Sequence, residues 1–229
     1  MNDLFLVLLT TAMTLGFVHT ALGVDHSLPF IALARARHWS LQRTIAITVG
    51  CGTLHVLSSV LIAGVGLAVG SAGQKLLVIE ETRANFAAWL LVGLGFAYAA
   101  VAFWRSRAPR LEGGEPGADL AGLSSGRLMP ALFIIFALGP CEALLPLLTA
   151  SGIGLDLGQS TAIAVVFSLT TVLTMVGLVV LGYLGAQRLS RVMGSGLLAS
   201  WTPRLRHHAH TLAGVTLLAS GLGIRLLGL

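Results

Sequence analysis

Residues 43–70 read RTIAITVGCGTLHVLSSVLIAGVGLAVG. Arg43 stands at the edge of this stretch, and no Asp, Glu, Lys or Arg lies inside it. A hydrocarbon core of about 30 Å is crossed by about 20 helical residues, so the run is long enough to span a bilayer. It lacks the apolar–polar alternation of a barrel strand, and open sheet edges find no hydrogen-bond partners in lipid, which leaves the α-helix.

Five more stretches have the same character, at roughly 3–22, 84–104, 129–152, 159–185 and 211–228. The whole chain follows suit: its 229 residues are 55% hydrophobic and 10% charged, with a mean hydropathy of +0.89. A soluble domain carries about 25% charged residues to face water, so these charges are too few for a soluble surface. The sequence predicts an all-α membrane protein with six transmembrane helices in the lipid bilayer of the cell (inner) membrane. A pI of about 10.2 would point to nucleic acid in a soluble protein. Here the basic residues fall between the apolar spans, where the positive-inside rule accounts for them, and no nucleic-acid partner is expected.

Lys and Arg set the expected orientation. The connections after spans one, three and five carry Arg35, Arg37 and Arg43; Arg105, Arg107, Arg110 and Arg127; and Arg188, Arg191, Arg204 and Arg206. The other side holds Lys75, Arg83 and Arg225. This asymmetry places the three basic loops in the cytoplasm and both termini outside. The first apolar run starts at Asp3 without a basic leader, so no cleaved signal peptide is expected.

The chain also divides. Residues 21–28 (ALGVDHSL) and 137–144 (ALGPCEAL) share a pattern, each with a proline close behind, Pro29 and Pro146. The same offset carries span two onto span five, matching Ala46, Val56 and Val60 to Ala162, Val172 and Val176. Three spans per copy is an odd number, so the second copy must be inverted, the plan of many secondary transporters. The expected organisation is a first three-helix repeat at 1–104, a cytoplasmic Gly/Pro-rich linker at 105–128 and a second, inverted repeat at 129–229, with helices one and four broken.

Ionisable side chains inside spans cost ~2.5–3.5 kcal/mol each on insertion scales and mark function by default. His19, Asp25, His26, His55 and Glu142 are such residues, and Cys141 lies beside Glu142. On a continuous helix His19 and His26 would stand roughly 10.5 Å apart along the axis, too far to share one ion. Gly23 and Pro29 predict a break between spans' halves in the first copy, and Gly139-Pro140 with Pro146 predict one in the second. Carboxylate, imidazole and freed carbonyls at a break make a cation site. The candidate metal ligands are therefore His19, Asp25, His26, His55, Glu142 and Cys141. His207, His208 and His210 sit in a basic loop and read as solvated juxtamembrane residues.

The stretch GFVHTALGVDHSLPF, followed by a basic turn and GCGTLHVLSS, resembles the nickel/cobalt transporter superfamily, and within it the branch of hydrogenase- and urease-accessory membrane proteins. The resemblance implies a site built from His19, Asp25 and His26 in the first spanning helix and His55 in the next, with Glu142 near a later acidic motif. The family's spacer between His and Asp-His is four residues; TALGV here is five. The implied function is transport of Ni(II) or Co(II) as substrate, with no resident cofactor and no enzyme activity.

Two other readings stand beside it. GPCEALLP is similar to a segment of membrane thiol–disulfide electron carriers, which would use Cys51 and Cys141. An exporter of sulfite or a small organic anion is the third, disfavoured because the spans show no interior Lys or Arg apart from Arg225. Direction of transport and any homo-oligomer or accessory partner are left open by the sequence.

Overall fold

The structure is a computed structural model that describes residues 3–68, 73–107, 125–139, 141, 143–151, 155–194 and 208–227. Every regular element among them is helical. Helix α1 (Asp3–Leu22) leads through a short 3-10 turn (Val24–His26) to α2 (Leu28–Ala36), then to α3 (Leu41–Ala68) and α4 (Gly73–Arg107). After the linker come α5 (Ser125–Leu138), α6 (Leu144–Ser151), α7 (Leu157–Gly194) and α8 (Ala209–Leu227).

Five of these, α1, α3, α4, α7 and α8, are long and apolar enough to cross a membrane. Their outer surfaces agree: Trp89, Phe96, Leu173 and Leu181 are exposed, as lipid-facing side chains are. The fourth expected span is two helices. The 14 residues of α5 reach about 21 Å, short of a bilayer core, and the chain breaks before α6 continues.

Both expected breaks are present, and their chemistry is local. Gly23 N–H closes the last turn of α1 on His19 O at 3.0 Å, and His26 N–H turns back onto Gly23 O at 3.1 Å. Pro29 then sits in the first turn of α2. There its missing N–H leaves nothing unsatisfied, so it opens a new helix and does not kink a continuing one. In the second break Gly139 N–H bonds Ile135 O at 2.9 Å, and Leu144 N–H bonds Cys141 O at 2.9 Å.

Helix bounds differ from the sequence expectation mainly at the polar ends. Span three was expected from 84, whereas α4 starts at Gly73 and takes up Lys75, Glu80 and Arg83. Span five was expected to end at 185, whereas α7 runs to Gly194. Apolar windows end where charge begins, but a helix continues wherever its backbone bonds are made. The linker narrows correspondingly: residues 105–107 belong to α4 and 125–128 to α5, and 108–124 lie outside the described residues.

Packing crosses between the halves. Helix α1 packs on α7 and α3 on α5, while α4 and α8 form the most extensive pair. At that crossing Gly95 lies against the backbone of Gly214 and Leu218, so any side chain there would push the helices apart. Buried side chains gather in two clusters. One surrounds Phe30, Leu132 and Met175; the other surrounds Ala12, Leu144 and Phe167. His55 lies on α3 between Cys51 of the first and Ala63 of the second.

Beneath α2 the basic connection is pinned to its neighbours. Arg35 donates to Ala186 O at 3.1 Å, and Tyr183 donates its hydroxyl hydrogen to Trp39 O at 2.9 Å. Arg37 Nε donates to Tyr98 Oη at 3.2 Å, and Tyr98 in turn meets His210 Nδ1 at 2.8 Å. His210 is thus half-buried between helices, and not a fully solvated loop residue; His207 lies outside the described residues.

Candidate metal centre

The break after Leu22 changes which histidines can meet. With the chain turned at Val24–His26, the His19 and His26 rings come edge to face with centroids 5.0 Å apart. His55, on α3, meets the His26 ring edge to face with centroids 5.2 Å apart. One ring nitrogen from each of the three lies within 4.8 Å of the others. Two nitrogens bound to one ion at about 2.0–2.1 Å stand no more than about 4.2 Å apart, so sub-ångström ring movements would close the trio on a metal. The turn at Val24–His26 carries the chain out of helical register before His26.

Two of the three imidazoles are oriented by hydrogen bonds. His55 Nδ1–H donates to Phe136 O at 3.3 Å, so its lone pair is on Nε2. His26 Nδ1 meets Asp25 Oδ1 at 3.0 Å, an acceptor that fixes the same tautomer. A carboxylate or carbonyl behind a ligating imidazole sets both ring orientation and ligand basicity. The Nε2 atoms of His19, His26 and His55 are all buried and have no partner among the described residues. A buried polar atom without a hydrogen bond costs about 1–3 kcal/mol. Three converging rings, each with such an atom, are the pattern of a ligand set.

Gly23 makes the turn possible. A Cβ there would fall on the His26 ring, so only glycine lets the backbone pass so close.

Of the remaining sequence candidates, Asp25 stands behind His26, its side chain 21% exposed. Cys141 is buried and forms no disulfide among the described residues, and it is not one of the trio. Its backbone N–H donates to Ser59 Oγ at 3.1 Å. Glu142 lies outside the described residues. Cys51 and Cys141 belong to different hydrophobic clusters.

One residue near the site was missed by the sequence reading. Arg83 pairs through Nη1 with Glu80, and its Nη2 donates to Ser58 Oγ at 2.9 Å and to Ala137 O at 3.0 Å. Ser58 passes its own hydrogen to His55 O at 2.9 Å. The last carbonyls of α5 are left without helical partners by the break. Arg83 takes that of Ala137, and His55 joins the Gly139 N–H on that of Phe136, so the second break is held by α3 and α4 together. Arg83 also corrects the expectation that no Lys or Arg apart from Arg225 lies inside a span, since it falls within the long apolar stretch Lys75–Ser106 of α4. Its charge is matched by Glu80, which is itself 3% exposed. The sequence signal was EETR next to an apolar run, with Glu80 and Arg83 three apart on one helical face.

No family model matches the chain, and neither does any curated protein or solved structure.

Proposed function

We propose that this protein is a secondary transporter of a divalent transition-metal cation, Ni(II) or Co(II), which binds at the His19–His26–His55 trio. The carrying observation is the convergence of three histidine rings, each contributing a nitrogen within 4.8 Å of the others and each with a buried, unpartnered Nε2, at a helix break inside an apolar helical bundle. Imidazole donors suit Ni(II), Co(II) and Zn(II). Asp25 orients His26 and offers negative charge that offsets the incoming cation. Metal must displace any protons on these groups, which makes coupling to proton movement the natural energy source.

The inverted repeat belongs to the same proposal. Helices α1 and α5 end at Leu22 and Leu138, α2 and α6 begin at Leu28 and Leu144, and α3 and α7 begin at Leu41 and Leu157, each pair 116 residues apart. The cross-packing of α1 on α7 and α3 on α5 is the exchange that a two-fold relation between halves requires. These features support six membrane crossings, two of them broken, with the site beside the repeat interface. The basic-loop asymmetry supports an inner-membrane protein with both termini outside.

The thiol-carrier reading gains nothing from two cysteines in separate clusters. The anion reading is not strengthened by Arg83, whose guanidinium is already engaged by Glu80, Ser58 and Ala137.

The test is calorimetry of the purified protein with Ni(II) and Co(II), followed by uptake in proteoliposomes. Saturable binding that is lost in His26→Ala and His55→Ala, with uptake lost alongside, is expected. Uptake by both variants at the parental rate would overturn the proposal.

A further inference from the structure

Three strong imidazole donors bind a cation well, and for that reason release it slowly. Conduction needs a site that is favourable enough to enter and a weaker neighbour to leave by. One residue beside the trio has the properties of that neighbour.

Thr171, on α7, is fully buried, and its Oγ1 has no partner among the described residues. Helical threonines ordinarily return their hydroxyl hydrogen to the carbonyl one turn back. Thr20, Thr44, Thr48 and Thr170 all do so here. Thr171 instead turns its oxygen toward α1, where a Cβ on Gly16 would stand 3.3 Å from it. Gly16 lies one turn before His19 on the same side of α1, and helical side chains lean toward the N-terminus over the preceding turn. The Thr171 hydroxyl thus faces α1 one turn from His19, on the side toward which the His19 side chain leans, and each carries an unsatisfied buried polar atom. Beyond them along α1 the way is closed by the cluster around Ala12 and Phe167. Thr171 also stands 116 residues after His55, the offset that relates the helix ends of the two halves.

We propose that Thr171 Oγ1 is a second, weak oxygen ligand for the transported cation, taken up as the ion pivots on His19 away from His26 and His55 toward the N-terminal end of α1. This rests on the trio as the binding site and adds the step by which the ion leaves it. The chemistry is a neutral hydroxyl where the first half places an imidazole: it accepts a partly hydrated divalent cation and does not hold it.

The test uses the full chain with Co(II) as probe, reading binding by visible absorption and calorimetry, and flux by uptake into proteoliposomes. Thr171→Val keeps the shape and removes the oxygen. Binding within about 3-fold of the parent is expected, with uptake reduced about tenfold, as follows when one interaction of hydrogen-bond strength no longer lowers the barrier. Thr171→Ser should transport like the parent. Thr171→His should bind Co(II) more tightly and release it more slowly. Parental uptake by Thr171→Val would overturn the proposal, as would equal loss of binding and uptake in the Val and Ser variants, which marks a packing role. Failure of the parent to bind Co(II) would instead overturn the trio reading beneath it.

Discussion

His55 donates its Nδ1–H to the carbonyl of Phe136, 81 residues further along the chain and 3.3 Å away. A histidine from the first half thereby joins the Gly139 N–H on a carbonyl at the break of the second, and the bond leaves the lone pair on its buried Nε2. Removing the imidazole loses a metal donor and leaves the Phe136 carbonyl with only the Gly139 N–H, 3.2 Å away. His55→Ala is expected to weaken Co(II) binding by at least about 100-fold, more than the 10–100-fold typical of an outer-shell change. Calorimetry of the purified variant checks this.

Asp25 acts through His26. Asp25→Asn keeps an oxygen able to accept the Nδ1–H but removes the charge, and a loss of about 10–100-fold in metal affinity is expected. Asp25→Ala should lose more, because the His26 tautomer is no longer fixed. The same titration on both variants ranks them; equal affinities would show that the carboxylate does not tune the site.

Gly23 is expected to tolerate no side chain. Gly23→Ala drives a methyl group into the His26 ring, so Co(II) affinity should fall by at least about tenfold while thermal unfolding in detergent stays near the parent, since the clash moves a ring and not a helix. A variant with unchanged affinity would show that the turn has room.

Arg83 and Glu80 form a buried pair, and breaking one side leaves the other charge alone. Arg83→Ala should destabilise the protein by about 3–5 kcal/mol. Glu80→Leu combined with Arg83→Met should recover much of that, because both charges leave together. Thermal unfolding of the two variants decides it, and a double variant no more stable than the single would locate the role of Arg83 in its bonds to Ser58 and Ala137.

Much of this was legible in the sequence, for identifiable reasons. Long apolar runs report membrane helices directly, and Gly23 and Gly139 report breaks because the backbone needs them. His19, Asp25, His26 and His55 stood out because ionisable groups in apolar runs are costly. What spacing did not convey was how they meet. A seven-residue separation gives His19 and His26 a distance only if the conformation between them is known, and here the 3-10 turn decides it. Arg83 was hidden for a different reason: a polar turn at the end of a helix and a polar loop have the same composition. Its partners Ser58 and Ala137 lie 25 and 54 residues away in the chain, beyond any local pattern.

The exchange of packing between halves has a consequence for how the chain is made. Helices α1 and α3 emerge first, yet their partners α7 and α5 are synthesised only later. The trio's own ligands are all present by the time α3 is inserted. The Phe136 carbonyl that steadies His55 arrives with α5, and the face of α7 that covers Gly16 arrives later still. A nascent chain therefore holds the three histidines before it holds the scaffold that aligns them, and the geometry of the trio is completed last, when the second half has packed between the helices of the first.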